Sequence, residues 1–344
     1  MLKRLSSREK FEQLIANFEP LIRKAFEDAV EDIKSRAEIG RIIERLERRD
    51  IDGAMRALHI DPAAFRPVDT AIATAYNGGG VATTGRLPPI RQPGGGQVII
   101  RFDTRNVRAE NWLRDHSGRL ITNIVEDQRN AIRTAMVNGL ERGANPRSNA
   151  LDIVGRLNRV TGRREGGIIG LTAQQERFAA NYLEDLLSGD PARMRATLER
   201  ARRDKRFDRS VIKAINEERP VDAELAGRMV GRYRDRMLQL RGETIARTET
   251  MAALNESQME AMRQAVDGGV DPTAIVKVWR SAHDNRVRDS HRAMHGQEVS
   301  LNGKFTCPTG AVLAYPGDPE APASEIINCR CWMETKIEFL AGLE

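Results

Sequence analysis

The sequence predicts a mainly α protein, with a long-helix body carrying a small C-terminal α+β module. Three observations predict it. Aromatic residues make up only 5% of the 344 residues and charged residues 30%, with Ala, Leu, Arg and Glu frequent, a composition that favours helix. Apolar residues recur at three- and four-residue steps over most of the chain. That pattern stops at Asp267-Gly268-Gly269, beyond which lie two of the three tryptophans, all three cysteines and three of the five histidines.

Residues 1–76 read as an N-terminal helical segment. Phe11, Leu14, Ile15, Phe18, Ile22, Ala25, Ala29 and Ile33 form one stripe, which Pro20 interrupts, so a helix starts or kinks there. A shorter stripe follows at Ile39, Ile42, Ile43 and Leu46. Both stripes need a covering surface, from this chain or from another protein. Residues 77–105 read as a Gly/Pro-rich linker or arm with one short strand. Seven glycines and three prolines fall within 77–96, a density that predicts neither helix nor central strand. VIIRF (98–102) is the strand candidate, and a lone strand must pair with something.

Residues 106–266 read as a helical body with a long connecting helix. Leu113, Leu120, Ile121, Ile124, Gln128, Ala131, Ile132 and Ala135 keep helical spacing, and Asn145-Pro146 ends that helix. Thr172 with Gln175 is a capping-box pattern. Asp190-Pro191 pairs an N-cap with proline at the first helical position. Asp222 opens an element running to Val266, with Ile245, Thr248, Ala252, Asn255, Met259, Met262 and Val266 on one face. Unbroken, it spans on the order of 65 Å, unless Gly242 divides it. Residues 267–344 form the C-terminal module. Here IVKVW (275–279) reads as a strand, Asn302-Gly303 as a hairpin turn, and CRCWMETKI (329–337) as a closing strand.

Net charge is +6, the balance of 55 basic against 49 acidic residues. That permits contact with phosphate or an acidic partner without establishing it. The N-terminus lacks the apolar core of a secretory signal, and no run approaches the ~20 apolar residues of a membrane span. Three clustered cysteines do not suggest a disulfide scaffold. No Walker A loop, GxSxG or HExxH is present, so no enzyme is expected. No repeat of solenoid period appears.

The most informative stretch starts at residue 243. It holds ETIARTET (243–250), VWRSAHDNRVRDSHRAMHGQ (278–297) and YPGDPEAPASEIINCRC (315–331). This ordered set resembles the head-morphogenesis domain of tailed-phage minor head proteins, the phage Mu F-like family. The matching positions are Arg247, Thr248 and Glu249, then Trp279, Asp284, Arg288, His291 and Gly296, then Asn328, Cys329, Arg330 and Cys331. The resemblance implies a minor head protein, present in few copies, associated with the portal vertex and acting in capsid assembly. Its partners would be the portal or major capsid protein, with no membrane partner. Its location would be the virion, reached from the host cytoplasm during assembly.

On physical grounds, a helix over 284–291 would put Asp284, Arg288 and His291 on one face. With Trp279 they would then form a structural polar network. Two further readings stand beside it. His291 or His295 with Cys307, Cys329 and Cys331 offers a structural zinc set, although the Cys-x-Cys spacing is not that of a zinc knuckle; the same cysteines serve equally as buried free thiols. A His291–Cys329 thiol–imidazole pair, or Asp284 with His291, would instead suit a hydrolase, and a zinc-dependent enzyme is the further alternative. For nucleic acid, the basic tract RARRDKRFDR (200–209) offers Arg200, Arg202, Arg203, Lys205, Arg206 and Arg209 to packaged DNA, without base reading. The alternative there is a solvated helix face.

Overall fold

A computed structural model of the chain describes residues 5–87, 89–91 and 97–337. The predicted fold class holds. The helices are α1 (Ser7–Arg36), α2 (Ile39–Glu47), α3 (Ile51–Arg56), α4 (Arg66–Thr84), α5 (Val107–Glu141), α6 (Pro146–Val154), α7 (Ala173–Leu187), α8 (Pro191–Thr197), α9 (Asp208–Asn216), α10 (Ala223–Asp267), α11 (Asp289–Ala293) and α12 (Ala323–Ile326). The strands are β1 (Ile90–Arg91), β2 (Gln97–Val98), β3 (Arg156–Leu157), β4 (Arg164–Glu165), β5 (Ile275–Arg280), β6 (Glu298–Ser300), β7 (Phe305–Thr306), β8 (Val312–Leu313) and β9 (Trp332–Ile337). The largest sheet is antiparallel with order β6-β5-β9, while β1-β2, β3-β4 and β7-β8 are two-stranded.

The chain divides into two compact units that do not follow the linear order of its segments. One comprises residues 1–25, 67–119 and 243–344, the other 26–66 and 120–242. The second unit buries Leu171, Tyr182, Leu186, Met194, Val211, Val230 and Tyr233 in one core. Its helix ends follow local chemistry. The Thr172 hydroxyl accepts from Gln175 N while the Gln175 side chain accepts from Thr172 N, so both exposed amides are satisfied. Asp190 caps α8, with Pro191 at its first position. Asp222 Oδ1 accepts from Leu225 N at 3.0 Å, opening α10, which runs 45 residues without a break at Gly242.

In the first unit, α10 is a central element rather than a helix with one buried stripe. From Glu249 to Met262, Gln258 is the only residue that is not buried. A helix covered on all sides is a core helix, and the covering here comes from distant stretches. Phe11 of α1 stacks on Trp332 of β9 with centroids 5.6 Å apart. Tyr76 of α4 stacks on Trp112 of α5 at 5.1 Å. The N-terminal stripe is thus partly covered by the chain itself.

Several expectations are corrected. Helix α1 does not start at Pro20 but runs through it. The triple glycine lies inside α4, not in a linker. A Cβ at Gly79 would stand 2.3 Å from Ser257 Oγ and 2.9 Å from Leu254 Cδ2, and one at Gly80 would stand 2.4 Å from the Phe102 ring. These glycines let a helix approach its neighbours closely, an advantage that outweighs their poor propensity. Of the strand candidate VIIRF, only Val98 is in a strand, paired with Ile90; Ile100 and Phe102 are buried outside any strand. The Pro/Gly-rich positions 88 and 92–96 and the module's last residues, 338–344, lie outside the described residues. Asn302-Gly303 makes a turn, with Gly303 N donating to Ser300 O at 3.0 Å, but not a hairpin. The strands on either side pair elsewhere, β6 with β5 and β7 with β8. The closing strand begins at Trp332, so Cys329 and Cys331 precede it.

Candidate functional site

The site lies in the first unit, where β5, α11, the loop before β9 and the second half of α10 meet. Trp279 of β5 is fully buried. Its ring meets His291 edge-on at 5.2 Å and Phe305 edge-on at 5.3 Å. Around it pack Val287, Met294, Cys307, Leu313, Cys329 and Cys331. Gly296 holds φ +83°, a backbone state suited to glycine. This lets Gly296 N donate to Trp279 O at 2.8 Å while Trp279 N donates to Gln297 O at 2.9 Å.

The expected shared helical face over 284–291 does not form. Helix α11 starts at Asp289 because Arg288, its N-cap, is extended at φ −58°, ψ 145°. The polar residues are used separately. Asp284 Oδ2 pairs with Arg330 Nε at 2.7 Å. Partial burial raises the Asp284 carboxyl, but the Arg286 amide and the Arg330 guanidinium outweigh this and hold it below its ordinary value. Arg288 Nη2 donates to Ile327 O at 2.5 Å. His291, by contrast, turns inward and is 1% exposed. Its Nδ1 lies 3.5 Å from Cys329 Sγ and 3.6 Å from Cys331 Sγ, and its Nε2 lies 2.9 Å from Glu325 Oε2. The two thiols interact directly, which lowers the pKa of Cys329 and raises that of Cys331.

The four-residue set expected for zinc is divided. His291, Cys329 and Cys331 form one group of mutually close donor atoms, and His291, Cys307 and Glu325 form another. His295 joins neither: its Nδ1 accepts from Ser281 N at 3.1 Å and its Nε2 lies 3.2 Å from His283.

The helix before this module is tied into it. Asn328, at φ +57°, donates its amide to Thr248 Oγ1 at 3.1 Å. Arg247 pairs with Glu19 at 2.7 Å. Glu249 is buried against His116, Oε2 to Nε2 at 2.5 Å. The ordered motif residues are therefore either part of one cluster or clamps on the elements that build it. A family model described as phage Mu protein F like protein matches residues 130–334, more than half of the chain. The chain belongs to that family. Neither a curated protein nor a solved structure matched it. His116 and Glu19, which pair with motif positions of this Mu F-like chain, both lie before the matched stretch.

Sequence reasoning missed several buried polar groups in this unit. Asn255 Oδ1 accepts from Met333 N at 2.9 Å and its Nδ2 donates to Pro316 O at 2.9 Å. Its signal was present as the one amide in the apolar stripe of α10. Lys277 is fully buried, and its Nζ donates to Gly303 O at 2.7 Å and Ala314 O at 2.9 Å. A lone lysine within IVKVW was the clue. Burial pulls Lys277 down to about 8, with Arg263 acting in the same direction. Glu256 bonds Arg263 at 2.8 Å, yet burial pushes its carboxyl up to about 7.

These shifts act in separate pH windows. The Glu256 pKa is raised on folding, so its stabilising contribution is complete below the ordinary carboxyl value and is lost as pH rises through about 7. The Lys277 pKa is lowered, so its contribution is complete above the ordinary lysine value and is lost as pH falls through about 8. Between about pH 5 and about pH 7, Glu256 alone of the two gives a slope. Wild-type protein should lose stability across that window. Glu256→Gln should flatten the loss by about 3 kcal/mol, read from denaturant midpoints at each pH; parallel pH curves for the two proteins would refute the assignment.

The basic tract lies in the second unit and is largely self-neutralised. Arg200 pairs with Asp185 at 3.1 Å, Arg203 with Asp208 at 3.0 Å and Arg206 with Asp204 at 2.6 Å. It is not the solvated helix face considered from sequence, since residues 205–207 form a 3-10 turn leading into α9. Arg202, Lys205 and Arg209 remain exposed.

Proposed function

We propose that the chain is a minor head protein acting in head morphogenesis of a tailed phage, carried in the virion and bound to the portal or major capsid protein at the portal vertex. The observation that carries this reading is the family match over residues 130–334. Its support from geometry is that the ordered motif positions fall in one unit, with Trp279, His291, Cys329 and Cys331 in a single core. The role is architectural, and no catalysis belongs to it. Among the described residues no helix is long and apolar enough to cross a membrane.

The test is co-expression of the full chain with the portal and major capsid proteins of its phage, followed by co-purification and analysis of purified heads. Retention by either partner and presence in heads is the expected result. A folded full-length chain that binds neither partner and is absent from heads overturns the proposal. Deleting residues 1–105 would not locate the interface, because α1 and α4 supply core contacts to the same unit as the motif. DNA contact is the competing reading. It predicts salt-sensitive retention on arbitrary DNA at about 50 mM salt, lost when Arg202, Lys205 and Arg209 are replaced by glutamate.

A further inference from the structure

His291, Cys329 and Cys331 are 1%, 0% and 1% exposed. Their donor atoms, one imidazole nitrogen and two sulfurs, all lie within 4.8 Å of one another. Zinc bonds to sulfur at about 2.3 Å and to histidine nitrogen at about 2.0–2.1 Å, so tetrahedral geometry sets the N···S edge at about 3.6 Å. The observed separations from His291 Nδ1 are 3.5 Å and 3.6 Å. Each thiol therefore already stands at the spacing that a shared zinc ion demands.

The other face of the imidazole supplies an independent observation. A zinc-bound histidine usually donates its second ring N–H to a carboxylate, which fixes the tautomer and the ring orientation. Here Nε2 stands 2.9 Å from Glu325 Oε2. Glu325 is only 5% exposed and is itself held by Thr309 Oγ1, which donates to Glu325 Oε1 at 3.0 Å. Nε2 is buried without an aligned hydrogen-bond acceptor; Glu325 is the carboxylate within reach of a proton there, and Nδ1 is the ring nitrogen that faces the two sulfurs. Burying an acid in the module is costly unless it is paired, and orienting a metal ligand gives it a purpose that packing alone does not.

We infer that His291 Nδ1, Cys329 Sγ and Cys331 Sγ bind a zinc ion, with Glu325 as the positioning residue and a water in the fourth position. Binding forms two Zn–S bonds and one Zn–N bond, and two thiol protons leave to solvent. Cys307 stays outside the set as a core thiol. The ion clamps the loop before β9 to α11, and so joins two motif segments that share no strand pairing. The inference does not depend on the proposed function, since it concerns a structural ion in the module whatever the module docks onto.

The experiment is metal analysis of the full chain purified from zinc-supplied cells, paired with cobalt(II) exchange. About one zinc per chain is expected, with a thiolate-to-cobalt charge-transfer band after exchange and acid release on metal uptake in weak buffer. Cys307→Ser should keep both metal and band, and Glu325→Gln should weaken zinc affinity about 10–100-fold. Cys329→Ser and Cys331→Ser should lose the ion. Should either fail to fold, the wild-type metal content and the Cys307→Ser spectrum still decide the matter. Wild-type protein without metal and without a cobalt–thiolate band overturns the assignment. So does zinc that persists in folded Cys331→Ser, or that is lost in folded Cys307→Ser.

Discussion

Replacing Gly79 and Gly80 together with alanine is expected to destabilise the protein by roughly 1–4 kcal/mol, the over-packing cost less the gain in helix propensity. Helix propensity alone argues the opposite, since each glycine in a helix interior gives up about 1 kcal/mol relative to alanine. Both residues lie within α4, so propensity predicts a gain of about 2 kcal/mol for the pair. Packing reverses the sign. The methyl at position 79 would meet Ser257 Oγ at 2.3 Å and the Leu254 side chain at 2.9 Å, and that at position 80 would meet three Phe102 ring atoms at 2.4–2.5 Å. Ser257 and Leu254 are 0% and 1% exposed, so they cannot swing into solvent. Over-packing a closed site costs about 1–3 kcal/mol per added group. Thermal or denaturant unfolding of the double variant measures the sum, and an unchanged or raised midpoint would show that α4 does not lie against α10 as described. Gly40, where an added Cβ meets nothing within 4 Å, is the control; alanine there should be neutral or stabilising.

Asn255→Leu should cost about 2–5 kcal/mol. Leucine keeps the branched shape but is the larger residue, so no cavity forms and over-packing adds to the cost. The loss is of hydrogen bonding inside the core. Without the amide, Met333 N and Pro316 O each lose the partner seen at 2.9 Å, and each buried orphan costs about 1–3 kcal/mol. Asn255 is itself 0% exposed, so water is not at hand to replace it. A fall in denaturant midpoint with unchanged slope is the expected signature. A change under about 0.5 kcal/mol would mean these contacts carry no weight.

What could be read from sequence was what local chemistry decides. Thr172 and Gln175, Asp190 and Pro191, and Asp222 each mark a helix start because a side chain must satisfy amides within three residues of it. The α10 terminus at Gly268 and Gly269 follows the same logic. The glycines of α4 were misread because their purpose is set by Leu254, Ser257 and Phe102, none of them near in sequence. Asn302-Gly303 was read correctly as a turn and wrongly as a hairpin, since pairing depends on which strands lie alongside. At the site, His291 was expected beside the cysteines, and it meets Cys329 and Cys331. The helical face proposed for Asp284, Arg288 and His291 did not form, because the extended backbone at Arg288 delays the helix by one residue past it. Glu325 left no trace in the sequence, as its importance rests on a contact with His291 across 34 positions.

The unit that holds the site is gathered from residues 1–25, 67–119 and 243–344, and this imposes a timetable on synthesis. Phe11 finds Trp332 only when the last strand exists, so a chain still on the ribosome carries α1 and α4 with their apolar faces uncovered. Closing contacts across such separations is slow, and the interval before the C-terminus emerges exposes sticky surface. Nascent chains halted before residue 243 should therefore be the species that chaperones hold and that aggregates when synthesis outruns them.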